Sequence, residues 1–384
     1  MNLCIDARNI TDKASGLVDY VANLLHELSL DKDITLLVLY NKKYKNRLNS
    51  LVKKNTTLIA SWYSDRFLDP TNLLYEQTVL PVTISKYNID VYHCPFGFGI
   101  PGALRTPALL TVHDVIPLTS FDELSKSQQL VYRASLHVSL KMSNQIVSIS
   151  NFTLTELRRF LPFTRTIPAS VIYDGFTNLQ DRVEPNMVQT LKKRLSITKP
   201  IIVYIGSATT RKNLETLVRA FVLAKSTYHI PHQLVLVSKF NRPETLKTKN
   251  NIDQILTESN HMKDVIYAGY MEEAEKASIL SAADLFIYPS LYEGFGLPIL
   301  EAMSVGIPIL CSDIPVFHEI YSNSVYYTNP NDSEAIAQDI YTTVNNTEDF
   351  AKRRTTYIHL LNKFSWKSMK EEYVKVYKNI LNTH

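Results

Sequence analysis

The chain has 384 residues, of which 45% are hydrophobic and 20% charged, and a formal net charge of +4. This length suits about two domains of ordinary size, and the composition suits a globular protein with a proper core. Repeat arrays, low-complexity tracts and long disorder are excluded, and so small a charge excludes the dominant basic face of a nucleic-acid binder.

In chain order, short apolar and β-branched runs predict strands at residues 2–5, 34–40, 91–93, 108–112, 145–148 and 170–172 in the first half. The second half offers 201–205, 233–237, 265–267, 285–288, 307–311 and 325–327. Helical patterns fit between most of them, for example 16–28, 214–224 and 273–281, and a last one covers 365–381. Such alternation argues for parallel sheets covered on both faces. Two units of this kind in series predict an α/β chain of two doubly wound domains, with the joint in the polar stretch 177–200. The expected domains are 1–180 and 181–364, followed by a C-terminal helix at 365–384 that the pattern alone does not assign to either. Ligands of open α/β sheets sit at the carboxyl ends of strands near a topological switch point, so a cleft between two such domains is the natural active site.

The three cysteines, Cys4, Cys94 and Cys311, stand far apart and show neither CxxC nor Cys/His ligand spacing. Neither a disulfide framework nor a zinc site is indicated, and reduced thiols in a cytoplasmic protein are expected. The start, MNLCIDARNI, lacks the features of a signal peptide. No apolar run approaches the ~18 residues of a membrane span, so any contact with a membrane is peripheral.

The segment that carries chemistry is YPSLYEGFGLPILEAMSVGIPILCS, residues 288–312. A buried strand runs into the loop Glu293-Gly294-Phe295-Gly296, and Pro298 fits the first turn of a helix, where its missing N–H costs nothing. Gly306 and Pro308 stop that helix before the next strand. The loop thus delivers a helix N-terminus to the carboxyl end of a strand, an arrangement that favours phosphate. Glu293 lies on the loop and Glu301 one turn into the helix, so the two can reach opposite ends of a nucleotide sugar. Carboxylates accept strongly from sugar hydroxyls. A turn plus a capped helix, with Glu301 merely solvated, fits the spacing as well.

This segment resembles the signature of the retaining glycosyltransferases of family 4, which have the GT-B fold: Glu293 and Glu301 match its E-x7-E motif in spacing and surroundings. The resemblance implies that Glu293 contacts the donor sugar hydroxyls and Glu301 the nucleotide ribose. Backbone N–H groups of Gly294, Phe295, Gly296 and Leu297 would hold sugar and phosphate. It is strongest over residues 201–312. It also implies two Rossmann-like domains facing a cleft, with the C-terminal helix crossing back to the first.

In VYIGSATTRKNLETLVRAF, residues 203–221, a strand ends at Gly206 and a helix begins near Asn213, which places Arg211 and Lys212 close to a helix N-terminus. Cations there can offset charge on a leaving diphosphate, although two solvated loop charges read equally well. The resemblance assigns Lys212, with Arg211, to the diphosphate. Relatives often carry an arginine directly after the glycine, where this chain has Ser207. His113, in LLTVHDVIPL at residues 109–118, follows an apolar strand and reads first as a structural histidine. Its segment is similar to the H-D-x-x-P of mannosyltransferase-like members, which makes it a candidate for positioning the sugar or its acceptor. Asp114 either orients the imidazole or caps the next helix. Ser15-Gly16 is a turn or a donor-phosphate loop, and Gly175 resembles the family's turn before the interdomain linker. Tyr270 and Met271 occupy positions that contact the base in relatives.

Asp31-Lys32-Asp33 has the form of a metal-binding triplet, but it lies where a polar turn belongs and no carboxylates cluster beside it. No metal or other cofactor is expected, and Arg211, Lys212 and helix N-termini would meet the diphosphate charge. Residues 34–64 contain no acid, and the segment 42–54 holds Lys42, Lys43, Lys45, Arg47, Lys53 and Lys54, with Trp62 and Tyr63 beyond. This is either a solvated face or a peripheral contact with an anionic membrane. The expected activity is retaining transfer of a hexose, mannose or a related sugar, from a GDP-sugar rather than a UDP-sugar to a glycan or lipid-linked glycan. An epimerase of the same fold and a non-catalytic glycan-binding scaffold are the rival readings, and no nucleic acid partner is expected.

Overall fold

The computed structural model describes residues 1–11, 16–53, 56–64, 69–121 and 124–383. The chain divides into two compact units, Met1–Gly175 with Phe364–His384, and Phe176–Lys363. Both are α/β, and each is described separately.

The first unit runs β1 (Asn2–Asp6), α1 (Gly16–Ser29), β2 (Thr35–Asn41), α2 (Lys45–Leu51), β3 (Thr57–Ser61), α3 (Pro70–Ile84), β4 (Val91–Cys94), β5 (Ala108–Val112), α4 (Lys126–Met142), β6 (Gln145–Ser148), α5 (Asn151–Phe160) and β7 (Ala169–Val171). Among the described residues these strands form one parallel sheet in the order β3-β2-β1-β4-β5-β6-β7. β3 has no counterpart in the sequence reading. It is an edge strand in which only Ile59 and Ser61 are buried, so its apolar signal is faint.

The second unit runs α6 (Pro185–Arg194), β8 (Ile201–Ile205), α7 (Leu214–Tyr228), β9 (Gln233–Val237), α8 (Pro243–Glu258), β10 (Val265–Tyr267), α9 (Glu273–Ser281), β11 (Leu285–Tyr288), α10 (Leu297–Ser304), β12 (Ile309–Ser312), α11 (Pro315–Tyr321), β13 (Tyr326–Thr328), α12 (Ser333–Asn345) and α13 (Thr347–Leu361). Its sheet is also parallel, in the order β10-β9-β8-β11-β12-β13. The strand order reverses between β8 and β11, which sets the loops after these two strands side by side. The polar stretch 177–200 is not bare linker. Leu179 and Leu191 are fully buried, and Arg194 on α6 pairs with Glu275 on α9 at 2.6 Å.

α14 (Trp366–Asn382) belongs to the first unit. Met369, Tyr373, Val376, Tyr377 and Ile380 recur at helical spacing and join the core built on β1, β2 and α1. A buried polar chain fixes the helix there. Tyr377 Oη lies 2.8 Å from His93 Nδ1, and His93 Nε2 lies 2.8 Å from Thr111 Oγ1. Thr111 Oγ1 lies 2.9 Å from Tyr373 Oη, which is 2.5 Å from Tyr20 Oη. Gly175 has a steric rather than a conformational reason: an added Cβ would stand 2.5 Å from the Trp366 amide nitrogen.

Candidate active site

At the switch point of the second unit, the turn after β8 and the loop after β11 are laced together. The Leu291 amide donates to Arg211 O at 2.8 Å, and Asn213 Nδ2 donates to Pro289 O at 3.2 Å and Pro330 O at 2.7 Å. Asn213 has φ +61 and joins the 3-10 turn Thr210–Lys212 to α7, a left-handed position that asparagine tolerates. This geometry turns Arg211 and Lys212 toward Glu293. Lys212 Nζ lies 2.5 Å from Glu293 Oε1, and Arg211 Nη1 lies 2.8 Å from the same oxygen. Lys212 also donates to Tyr288 Oη, and Arg211 Nη1 donates to the Tyr292 carbonyl at 2.6 Å.

Lys212 and Glu293 are 7% and 8% exposed. Burial pushes the Glu293 carboxyl upward, but the charges of Lys212 and Arg211 and their hydrogen bonds more than offset this, so it is held below the ordinary 4.5 and stays ionised. Sequence reasoning gave the carboxylate to the sugar and the cations to the diphosphate. The fold joins all three in one cluster of net charge +1. Tyr288 went unrecognised because its place in a buried strand reads as core, whereas its hydroxyl meets Lys212.

The loop then enters α10 through Gly296, at φ +106. A Cβ there would stand 2.8 Å from Phe317 Cε1 and 3.0 Å from Tyr321 Oη, and Tyr321 Oη donates to Gly296 O at 2.7 Å. Both the backbone angle and the close approach therefore require glycine. Gly294 and Phe295 are buried, and Leu297 opens the helix with Pro298 in its first turn. The first N–H groups of a helix lack intrahelical acceptors, so the segment presents a helix N-terminus beside the Glu293 cluster.

Glu301 sits on α10 and its Oε1 accepts from Lys276 Nζ of α9 at 2.8 Å, the two side chains being 17% and 18% exposed. Lys276 was not singled out in the sequence, since a lysine in EAEKAS carries no motif. Gly206 follows β8 beside the Tyr204 ring: a Cβ would stand 2.5 Å from Tyr204 Oη, which donates to Ser207 O at 2.8 Å. Ser207 Oγ lies 3.3 Å from Thr209 Oγ1 and brings no cation to this turn. Met271 is buried, while Tyr270 is 47% exposed with Lys239 Nζ 3.9 Å from its ring centroid.

In the first unit, His113 Nε2 lies 2.8 Å from Pro95 O, so Nε2 carries the proton and Nδ1 the lone pair. Its ring meets the edge of Tyr20, with centroids 4.5 Å apart at 82°. Burial lowers its pKa to about 4, more than the bond to Pro95 restores, so the imidazole is neutral near pH 7. Asp114 Oδ1 accepts from the Ile116 amide at 2.9 Å, which opens the next 3-10 turn. Gly16 is the exposed first residue of α1, and nothing lies within 4 Å of an added Cβ. Ser15 lies outside the described residues.

Residues 188–358 match the family of glycosyl transferases group 1. Those residues carry the group 1 domain, and the chain is a glycosyltransferase. It is 24% identical over 372 residues to O-antigen chain mannosyltransferase B of Escherichia coli, covering 95% of this chain and 96% of that one. Over 226 residues it is 26% identical to the O-antigen chain mannosyltransferase RfbU of Salmonella typhimurium, covering 59% and 58% of the two chains. A glycosyltransferase from Rickettsia africae superposes with a TM-score of 0.74 at 18% identity, over 100% of this chain and 99% of that one. Anabaena HepE in complex with UDP and glucose gives 0.75 at 16%, over 99% and 100%. The fold of this glycosyltransferase is GT-B. Its donor is a nucleotide sugar and its acceptor a glycan.

Among the described residues, no cluster of three or more His, Cys, Asp or Glu side chains could hold a metal ion. Asp31 instead binds Lys370 Nζ of α14 at 3.0 Å. Cys4, Cys94 and Cys311 are buried free thiols. No helix among the described residues is long and apolar enough to cross a membrane. In the basic segment Lys42, Lys43 and Lys45 are exposed, while Arg47 donates to Thr11 O. Lys54 lies outside the described residues.

Proposed function

We propose that this glycosyltransferase moves mannose or a related hexose, with retention, from a GDP-linked donor to the hydroxyl of a glycan or lipid-linked glycan, as in surface polysaccharide or O-antigen synthesis. The observation that carries the reading is the buried Glu293–Lys212–Arg211 cluster beside the N-terminus of α10. The cluster has one cationic charge in excess and a helix dipole beside it, which suits a diphosphate. In this reading Lys212 and Arg211 take the diphosphate charge and Glu293 accepts from sugar hydroxyls. Glu301 accepts from the ribose, and Gly206, Gly294, Phe295, Gly296 and Leu297 bring backbone close to the donor. Tyr270 and Met271 flank the base. Gly16 belongs to the same set as a donor-phosphate contact.

The transfer forms the bond from acceptor oxygen to the anomeric carbon on the face from which the diphosphate leaves. The departing phosphate oxygen takes the acceptor's proton. His113, neutral and held by Pro95, acts as a hydrogen-bonding and positioning group in this scheme. Mannose is favoured by the H-D-x-x-P segment and by the O-antigen mannosyltransferases among the relatives. An acceptor borne on a lipid places the protein at the cytoplasmic face of a membrane, where Lys42, Lys43 and Lys45 supply attraction to anionic headgroups. Calorimetry with GDP and UDP, followed by product analysis with GDP-mannose and a mannosyl acceptor, tests the reading. Preference for UDP sinks the donor assignment, and no binding of either nucleotide sinks the site.

A further inference from the structure

Helix α3 buries polar side chains and exposes apolar ones. Its buried face carries Asn72 and Glu76, 4% and 2% exposed, ahead of Leu80 and Ile84, whereas Leu74, Val79 and Val82 stand 65%, 48% and 58% exposed. A surface helix ordinarily turns these two classes the other way. Leu74 and Val82 lie eight positions apart and share the outward line of the helix with exposed Thr78. Pro70–Ile84 contains no Lys, Arg or His, and its one carboxylate, Glu76, is turned inward to within 3.4 Å of Arg8. The outward face therefore bears no charge.

Helix α4 lies beside it. The Gly102 amide donates to Gln77 Oε1 of α3 at 2.7 Å, and an added Cβ on the same glycine would stand 3.6 Å from Val138 Cγ1 of α4. Lys126–Met142 contains no Asp or Glu. It exposes Leu130 to 71%, with Arg133 and Lys141 also outward.

We propose that the outward face of α3 and α4 is a docking surface for an anionic lipid bilayer. Single exposed apolar side chains are ordinary, but a helix that buries its one carboxylate and exposes Leu74, Val79 and Val82 calls for an apolar neighbour. Arg133 and Lys141 decide its kind. Against anionic headgroups they are complemented, and the apolar side chains can sink into the headgroup boundary. Across a symmetric pair of copies the same cations would be gathered with no carboxylate from either helix to meet them. The inference uses no residue of the donor site.

Flotation of the full chain with phosphatidylcholine vesicles, with and without phosphatidylglycerol, tests it. Wild type is expected to float with the anionic vesicles alone and to be released by salt. L74E/V82E is expected to lose partitioning by about tenfold or more. R133E/K141E is expected to lose the salt-sensitive part, and unchanged melting curves would show both variants folded. Wild type that stays in solution at low salt overturns the proposal, as does L74E/V82E that floats like wild type. Concentration-dependent self-association abolished by V82E, without vesicle binding, overturns it in favour of a second copy. A chain that floats yet binds neither GDP nor UDP leaves this surface standing and sinks the donor reading instead.

Discussion

Lys212 Nζ lies 2.5 Å from Glu293 Oε1, and both side chains are about nine-tenths buried. The lysine follows β8 and the glutamate follows β11, 81 residues later, so their contact exists only because those strands are neighbours. Removing either partner leaves a charge in a site with little water. Breaking a buried pair costs roughly 3–5 kcal/mol, and K212M is expected to fall below that range because Arg211 still holds Glu293. Donor affinity is expected to drop by about tenfold or more, about 1.4 kcal/mol. Calorimetry and thermal melts read both quantities.

Glu301 offers a contrast. Its pair with Lys276 leaves the two side chains 17% and 18% exposed, between a surface pair worth about 0–1 kcal/mol and a buried one whose breaking costs roughly 3–5 kcal/mol. E301A is therefore expected to lose less stability than a fully buried pair would, while donor affinity drops by about tenfold or more. An E301A protein that binds donor normally would remove the ribose role.

Gly296 should tolerate no side chain. G296A places a Cβ 2.8 Å from the Phe317 ring on a backbone at φ +106. Left-handed strain on an ordinary residue costs about 1–3 kcal/mol, and the overlap with Phe317 adds to it. A lowered melting temperature together with lost nucleotide binding is expected, and a variant as stable as wild type would contradict the packing.

Acid should act on the first unit through its buried histidines, while Asp174 and Glu76, raised by burial, take up protons in the folded state and oppose the loss. Burial lowers His113 to about 4 and His93 to about 3, from an ordinary 6.5. The unfolded chain then binds more protons than the folded one between about 6.5 and those values. Stability from both groups is full above 6.5 and lost as pH falls through the window, each histidine contributing about 1.4 kcal/mol for every pH unit crossed. In denaturant melts from pH 7 to 4 the histidine contribution is read as the difference between wild type and H113N, the variant losing less stability on acidification. The same neutrality means that His113 contributes no step near pH 6.5 to the rate profile.

The polar chain under α14 should be worth more than its area. Y373F leaves Tyr20 Oη and Thr111 Oγ1 short of a buried partner. A loss of about 1–3 kcal/mol is expected, measured by urea unfolding. A neutral effect would show that neither hydroxyl depended on Tyr373.

Much of the fold was legible because parallel strands buried on both faces read as unbroken apolar runs, and Gly and Pro mark where helices begin and end. β3 was not, since an edge strand buries only alternate residues. The residues of the proposed donor site were legible as loop and helix-start positions with family counterparts. Lys276 and Tyr288 were not, because a helical lysine and a strand tyrosine carry no local signal of what their polar ends will meet.

The sequence by itself determined the alternation of strands and helices, the Gly296 entry into α10 and the identities of Glu293, Lys212 and Arg211, all set by signals within a few residues. Only the tertiary structure decided that Glu293 meets both cations, that His113 is a neutral donor to Pro95, and that α3 turns Glu76 inward and Leu74 outward. Charge pairing and burial depend on distance in space, and the strand order, not the chain order, determines which side chains come within reach.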